Sequence, residues 1–227
     1  MKIELLEEVS STNDYIRRYL EKGEDAIVCA RRQTGGKGTK GRSFRSCEGG
    51  VYFSALRFFT DLPARNAFLL MQHAAASVCR TVGEYGVSAA IKWPNDVYAN
   101  GRKIAGILIE NAFSGGAVKS SIVGIGLNVS NDLGEYADVA VNLCEAAGRA
   151  IDCDRVRARL IENFCGTDLL SGEKIYREYV RLGNISVTTA ERTFSAVALR
   201  VLGDGRLEID EGGKISALSA AEVSIRL

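Results

Sequence analysis

The chain has 227 residues, of which 46% are hydrophobic and 25% are charged, with 29 Lys and Arg against 28 Asp and Glu. This length suggests one large domain, or a large domain with a small one, and the composition excludes wholesale disorder. The net charge of +1 provides no global field that would draw the chain onto nucleic acid or anionic lipid. Any chemistry on anions must therefore come from local clusters of cations.

The chain shows no sign of a leader or a membrane span. Its start lacks a basic segment followed by a long apolar stretch, and no segment has 18 apolar residues without a charge. We therefore expect a soluble, cytoplasmic protein without a membrane partner. The six cysteines form no CxxC pair, and the single histidine, His73, lies far from other candidate ligands. We therefore predict free thiols and a buried structural histidine, and we predict no metal site and no disulfide framework.

The predicted elements of the first 182 residues mix strands and helices. A capped helix follows Ser10-Ser11-Thr12-Asn13 and stops at Gly23, and strands are predicted over 26–30 and 51–59. The longest buried helix is predicted over 64–85. Three further strands are predicted over 88–98, 103–111 and 121–129, and Asn100-Gly101 joins the first two because both residues tolerate positive φ. Two or three helices fill 134–182.

The composition changes near residue 184. Short β-rich runs follow, separated by glycines at 203, 205, 212 and 213. This pattern is typical of a small β-barrel or sandwich. We predict two domains, over 1–183 and 184–227.

The most unusual local composition lies at 31–42, where four glycines alternate with five basic residues. The loop leads toward a strand rather than a helix, so its GxGxxG spacing is a weak dinucleotide signal. Glycines let backbone N–H groups converge on an oxyanion, and the cations add charge around it. The pattern predicts an anion-binding flap, with a mobile, solvated loop as the alternative.

Two other stretches break the local rules of strands. Pro94 interrupts a predicted strand, which requires an edge or a bulge and points to function, although an ordinary kinked strand is the alternative. Gly124 and Gly126 lie two residues apart and therefore on one face of a strand. Such glycines mark close approach of a ligand or another backbone, and close packing against a helix is equally compatible.

Four motifs, taken in order, resemble the biotin protein ligase family. They are Ser11-Thr12-Asn13, the loop from Gln33 to Arg42, Lys92-Trp93-Pro94-Asn95-Asp96 with Arg102, Lys103 and Gly106, and Gly124-Ile125-Gly126-Leu127-Asn128. The likeness covers about residues 8–131 and, more loosely, 222–226, which resemble the closing strand of the family's small domain. It implies an α+β fold, in which a mixed-sheet catalytic domain related to class II aminoacyl-tRNA synthetases precedes a C-terminal SH3-like β-barrel.

The resemblance implies a reaction in two steps. Biotin and ATP, which brings Mg²⁺, give biotinyl-5′-adenylate, and a lysine of a biotin carboxyl carrier protein then accepts the biotinyl group. The biotin carboxylate must approach the α-phosphate, so fixed cations are needed to offset the repulsion between two anions. Because the single histidine is predicted to be structural and cannot serve as a base, we expect catalysis mainly by positioning of the reactants and by charge stabilisation.

The same resemblance assigns the site residues in three groups. The catalytic group is Lys103, Lys37 and Arg42. The biotin-binding group is Ser11, Thr12, Asn13, Gln33, Gly36, Lys37, Gly38, Thr39, Lys103, Gly106 and Gly124. The nucleotide-binding group is Lys40, Arg42, Phe44, Lys92, Asn95, Asp96, Asn128 and Arg226.

The chain departs from the family pattern at three places. Thr39 stands where most members carry an arginine, and we hypothesise that Lys40 substitutes for that cation in retaining the adenylate. Phe44 replaces the usual tryptophan. About ten residues precede Ser11, too few for the winged helix of some members, so no DNA binding is expected.

Two other functions compete with this interpretation. One is a lipoate or octanoate protein ligase of the same fold. The other is a non-catalytic module that binds phosphate or nucleic acid through its basic loop. The sequence leaves the oligomeric state open, a homodimer included.

Overall fold

The computed structural model of the protein describes residues 1–221 and 223–226, and its larger sheet has seven strands in the order β1-β2-β3-β7-β6-β5-β4. Their bounds are β1 Lys2–Val9, β2 Ala26–Gln33, β3 Gly50–Pro63, β4 Ala89–Lys92, β5 Asp96–Ala99, β6 Arg102–Ser114 and β7 Ala117–Asn128. Only β1 and β2 pair in parallel, and the other neighbours are antiparallel. The sheet is therefore mixed, as predicted.

Two parts of this sheet differ from the prediction. Strand β1 was missed, because it lies at the sheet edge with most of its residues exposed and so lacks an apolar alternation. The single strand predicted over 88–98 is wrong. The chain turns at Trp93-Pro94-Asn95, and β4 pairs back onto β5 so that Lys92 lies opposite Asp96. Proline has no N–H to offer a ladder, so the strand ends there.

The turn between β5 and β6 forms as predicted. Asn100 has φ 51° and Gly101 has φ 75°, both in the left-handed region. A two-residue hairpin with positive φ at both positions matches the twist of the strands that it joins. Lys103 is therefore the second residue of β6, close behind a tight turn.

Helices cover one face of the large sheet. They are α2 Phe68–Gly83, α3 Leu143–Ala147, α4 Cys153–Gly166 and α5 Leu169–Tyr179, whereas α1 Thr12–Tyr15 lies on the opposite face. The buried helix α2 is the longest of the described helices, as predicted, and packs against α4 and α5. The helix predicted to run to Gly23 is wrong in length, since α1 is a single turn that continues as a 3-10 turn over Ile16–Tyr19. Ser11 makes no side-chain cap, so little holds a longer helix there.

A second, antiparallel sheet begins at Gly183 and has the order β11-β10-β9-β8-β12. Its strands are β8 Gly183–Thr188, β9 Thr193–Val201, β10 Leu207–Glu211, β11 Lys214–Leu218 and β12 Ser224–Arg226. Its apolar side chains join the core of the large sheet, and Trp93 Nε1 donates to the Gly205 carbonyl at 2.9 Å. The two sheets are thus held by one continuous core. Glu222, which the sequence grouped with the closing strand, lies outside the described residues.

A search of the described residues finds no helix with the length and apolar character needed to cross a membrane. His73, as predicted, is buried in α2, where Nε2 lies 2.9 Å from the Phe164 carbonyl and 3.0 Å from that of Thr167. All six cysteines are free thiols.

Candidate functional site

A cavity of about 340 Å³ lies against the middle of β3, β7 and β6, within the size range of small-molecule sites. The helices α2 and α4 cover the opposite face, where Phe53 packs against Phe164. Most of the predicted site residues line the cavity. They are Ser11, Thr12, Asn13, Gln33, Lys37, Gly38, Thr39, Arg42, Phe44, Lys92, Asn95, Asp96, Lys103, Gly106, Gly124 and Asn128.

One part of the lining is polar but uncharged. Ser11, Thr12 and Asn13 stand at the start of α1, and all three are buried. Gln33 ends β2, and its Oε1 accepts from the Thr12 backbone N–H at 2.8 Å and from the Thr12 hydroxyl at 3.0 Å. This part can recognise a neutral ligand through hydrogen bonds.

Another part is strongly cationic. Five lining residues carry a positive charge, while Asp96 is the only carboxylate among the lining residues that the structure describes. The five are Lys37, Arg42, Arg45, Lys92 and Lys103. The Lys103 ammonium lies 2.7 Å from Asp96 Oδ1, an ion pair whose angles are not those of a hydrogen bond. Lys37 forms an ion pair with Asp14, also at 2.7 Å. An excess of fixed positive charge in a partly buried cavity favours an anionic ligand.

Lys92 is half-buried among these charges. Burial lowers the pKa of its ammonium, and the charges of Lys103, Arg226 and Arg42 lower it further, while Asp96 opposes them. Crowded, partly desolvated cations disfavour one another until an anion arrives. Arg226 does not line the cavity, but its charge acts on a residue that does.

The backbone of Lys103 is held from two sides. The hairpin turn precedes it, and its N–H donates to the Val139 carbonyl at 2.9 Å while its carbonyl accepts from Val141 N–H at 2.9 Å. The side chain is 32% exposed and lines the cavity, with its ammonium 5.8 Å from the centre of the Phe44 ring. Lys103 therefore points into the site and not into bulk water.

Glycines on neighbouring strands make room for the side chains of the site. Gly126 lies opposite Tyr52 on β3 and Gly106 on β6. A Cβ on Gly126 would lie 2.5 Å from the Phe44 ring, and one on Gly124 would lie 2.3 Å from Asn13 Oδ1. The close approach predicted at this strand is thus made by two side chains of the site itself.

Three predicted site residues do not line the cavity: Gly36, Lys40 and Arg226. At Gly36 a Cβ would lie 2.4 Å from the Phe44 carbonyl, so this glycine lets the loop pack onto the chain that follows it. The Lys40 ammonium instead donates to the Val223 carbonyl at 3.0 Å. A contact of Lys40 with the nucleotide stays a prediction.

Asn128 lines the cavity with both ends of its amide engaged. Its Nδ2 donates to the Val141 carbonyl at 3.4 Å, and its Oδ1 accepts from Asn131 Nδ2 at 3.1 Å. The amide is therefore held in one orientation.

One wall of the cavity, formed by residues that follow β7, was not predicted from the sequence. Its members are Leu133, Tyr136, Val139 and Ala140, and Tyr98 on β5 was missed as well. No motif marks residues 133–140, and only their pairing with Lys103 brings them to the site. The apolar character of this wall suits a flat ring or an alkyl chain.

Comparison with known proteins identifies the family. A model of the biotin/lipoate A/B protein ligase family matches residues 5–128, more than half of the chain. The chain belongs to this family. The matched residues include most of β1, all of β2 to β7 and every predicted site residue except Arg226.

Individual relatives agree with this membership. The bifunctional ligase/repressor BirA of Bacillus subtilis is 33% identical over 224 residues, which cover 89% of this chain and 66% of that protein. The biotin–acetyl-CoA-carboxylase ligase of Mycobacterium tuberculosis is 25% identical, with 98% and 88% covered. The biotin protein ligase of Aquifex aeolicus, solved in complex with biotin and ATP, has a TM-score of 0.74 at 27% identity, with 99% and 98% covered.

Proposed function

We propose that this protein is an ATP-dependent biotin protein ligase. It activates biotin with ATP to biotinyl-5′-adenylate and then transfers the biotinyl group to a lysine of a biotin carboxyl carrier protein. The observation that carries the proposal is a cavity that combines an uncharged, hydrogen-bonding part with a cluster of five cations. Biotin needs the first part for its ureido ring, and the meeting of its carboxylate with the phosphates of ATP needs the second.

In the first step, a biotin carboxylate oxygen attacks the α-phosphorus and the bond to pyrophosphate breaks. Two anions then share the site, and their repulsion in a partly desolvated cavity costs several kcal/mol unless cations offset it. Lys103 has the position for this role, since a tight turn and residues 139–141 fix its backbone. Lys37 and Arg42 add charge from the glycine-rich loop. Without substrates, Lys37 binds Asp14 and Arg42 binds Thr39, and in this scheme both side chains leave those partners to contact the substrates.

In the second step, the amine of the acceptor lysine attacks the acyl carbon, AMP leaves and the nitrogen loses a proton. The site offers no histidine, because the single His73 is buried in α2. We therefore assign the rate of this step to positioning of the two reactants. Asp96 forms an ion pair with Lys103 and orients that ammonium.

Mg²⁺ enters this scheme with the phosphates of ATP. In residues 1–221 and 223–226, no group of three or more His, Cys, Asp or Glu side chains is arranged to hold a metal ion. The chain's own contribution is the cationic lining, and the metal supplies further charge neutralisation on the phosphates.

Lipoate or octanoate is the second candidate substrate, because the family includes lipoate ligases. The uncharged set of Ser11, Thr12, Asn13 and Gln33, of which the first three are buried, argues against it. A dithiolane ring or a plain alkyl chain would displace water from those groups without offering them a hydrogen bond in its place, at a cost of about 1–3 kcal/mol for each group left unsatisfied. The ureido ring of biotin offers both donors and acceptors to them.

Several finer features belong to the same proposal. They are a relation of the large sheet to class II aminoacyl-tRNA synthetases, an SH3-like barrel for the second sheet, a division into domains near residue 184, a cytoplasmic location and no DNA binding. A homodimer is left open. The strand order of the second sheet supports a separate β unit.

The decisive experiment is pyrophosphate release with purified protein, ATP-Mg²⁺ and either biotin or lipoate. Release that requires biotin, followed by labelling of a biotin carboxyl carrier domain, is the expected result. Release with lipoate alone would assign the protein to the second candidate. Absence of release together with salt-sensitive binding of nucleic acid would point to a non-catalytic module. Lys103→Gln is the matched inactive variant.

A further inference from the structure

A chain of hydrogen bonds runs behind the uncharged part of the cavity. It begins at Ser46, whose hydroxyl donates to the Phe44 carbonyl at 2.9 Å. With its hydrogen committed, the Ser46 oxygen accepts from Gln33 Nε2 at 2.9 Å. The other end of the Gln33 amide must then be the acceptor for Thr12. The orientation of Gln33 is thus determined by a residue outside the cavity.

Ser54 connects the two polar side chains that open α1. It is fully buried in β3, and its Oγ lies 2.8 Å from Thr12 Oγ1 and 2.6 Å from Asn13 Oδ1. The Thr12 hydroxyl gives its hydrogen to Gln33, so Ser54 is the donor in this group. A serine has one hydrogen, and the shorter contact is the one to Asn13. Asn13 is therefore held with its oxygen toward Ser54.

Glu110 holds the other end of the same amide. Its Oε1 accepts from Asn13 Nδ2 at 3.4 Å, and its second oxygen is held by Arg17. An ionised carboxylate only accepts, so it admits only the nitrogen of Asn13 on its side. Gly124 gives Asn13 its place, since a Cβ there would lie 2.3 Å from Oδ1. Neither Ser54 nor Glu110 lines the cavity.

We propose that Ser54 and Glu110 are positioning residues that determine the selectivity of the site for the ureido group. They fix the orientation of the Asn13 amide and thereby which of its donor and acceptor atoms face the ligand. The ureido group has an acceptor oxygen between two N–H donors, and a site with fixed polarity rejects an analogue of equal size whose pattern differs. This inference rests on the proposed biotin ligase function.

The test compares binding of biotin and of 2-iminobiotin, whose cyclic guanidine, protonated at neutral pH, presents N–H donors where the ureido group presents its acceptor oxygen. Calorimetry gives the Kd of each ligand for the wild type and for Ser54→Ala. We expect the wild type to prefer biotin and Ser54→Ala to lower that preference about fivefold, the effect of one buried hydrogen bond. Ser77→Ala is the matched control. Ser77 is equally buried, but its hydroxyl donates to the His73 carbonyl within α2, and we expect its variant to keep the preference.

A second pair of variants separates positioning from structure. Glu110→Gln keeps an acceptor oxygen for Asn13 and should keep the preference, whereas Glu110→Leu removes the acceptor and should behave like Ser54→Ala. The inference is overturned if the wild type binds both ligands equally, if Ser54→Ala keeps the full preference, or if Ser77→Ala loses it to the same extent. Pyrophosphate release is measured in parallel. If the wild type prefers biotin but releases no pyrophosphate, the ligase function is refuted and the positioning role stays supported.

Discussion

Lys40 and Val223 join the glycine-rich loop to the second sheet. The Lys40 ammonium donates to the Val223 carbonyl at 3.0 Å, across 183 residues of sequence. Lys40 has φ 58°, in the left-handed region that residues other than glycine rarely adopt. A strained backbone position persists when surrounding contacts hold it, and this hydrogen bond is one such contact. The loop that borders the cavity is thus tied to a separate part of the molecule.

The first prediction concerns this tie. Lys40→Ala should speed the escape of biotinyl-adenylate by about 2- to 10-fold, the effect of losing one hydrogen bond that holds the loop. The measurement is the rate at which preformed adenylate leaves the protein. Arg32→Ala is the control, because Arg32 forms an exposed ion pair with Glu8 outside the cavity lining. An unchanged escape rate would reject both the tie and the hypothesis that Lys40 compensates for Thr39.

The second prediction separates the two halves of the cavity through its glycines. Gly124→Ala forces Asn13 to move and should raise the KM for biotin, whereas Gly126→Ala displaces the Phe44 ring and should raise the KM for ATP. We expect at least about a tenfold effect on the respective substrate, since neither Cβ fits without a shift of its neighbour. Steady-state kinetics with each substrate varied in turn provides the measurement.

Gly83→Ala serves as the control for this pair. It lies at the end of α2, and a Cβ there meets nothing within 4 Å. Equal effects of Gly124→Ala and Gly126→Ala on both KM values would contradict the assignment of the two halves.

Local signals in the sequence predicted a large part of the fold. The Asn100-Gly101 turn and helix α2 depend on neighbouring residues, and both form as expected. Strand β1 depends instead on its parallel partner β2, from which it is separated by more than a helix. The prediction of one strand over 88–98 failed because Pro94 was expected to form a bulge, whereas it lies in a turn that separates β4 from β5. Whether such segments form strands depends on pairing with residues distant in sequence, and the local pattern of residues carries no information about that pairing.

The site was predictable where short motifs supply its side chains and not where the fold does. Lys103 and Asp96 come from one motif, and they meet in the structure. Val139 was missed, because a backbone pairing across 36 residues brings its segment to Lys103. Ser54 and Glu110 resemble ordinary strand residues, and only the register of β3, β7 and β6 places them behind Asn13.

The third prediction tests the cation at the centre of the reaction. Lys103→Gln should lower the rate of pyrophosphate release by about 10²- to 10³-fold, the usual effect of removing one group that stabilises charge in the transition state. Biotin should still bind, although less tightly, because its carboxylate loses one cation while the uncharged part of the cavity is unchanged. Rapid-quench measurement of the first step and calorimetry with biotin test the two statements. Lys119→Gln, on an exposed position of β7, controls for loss of charge, and full activity of Lys103→Gln would refute the role.

The fourth prediction concerns the stability of the fold against pH. Burial lowers the pKa of His73 below the ordinary value of 6.5, although two backbone carbonyls oppose the shift. Between the lowered pKa of the folded state and 6.5, the unfolded chain binds more protons than the folded one. The contribution of neutral His73 to the free energy of unfolding is therefore complete above about pH 7. It is lost as the pH drops through that window, by about 1.4 kcal/mol for each unit between the two pKa values.

Urea unfolding at pH 7.5, 6.5 and 5.5 measures this effect, and the chain's single histidine makes the assignment direct. His73→Gln keeps an N–H donor for the carbonyls of Phe164 and Thr167 but has no proton to gain, so its stability should be level across the same range. His73→Asn is a second variant with the same expectation. Carboxylates whose pKa is lowered in the folded state, such as Asp154 and Asp168, titrate below this window. A wild-type decline between pH 7.5 and 5.5 that persists in both variants would place the titrating group elsewhere.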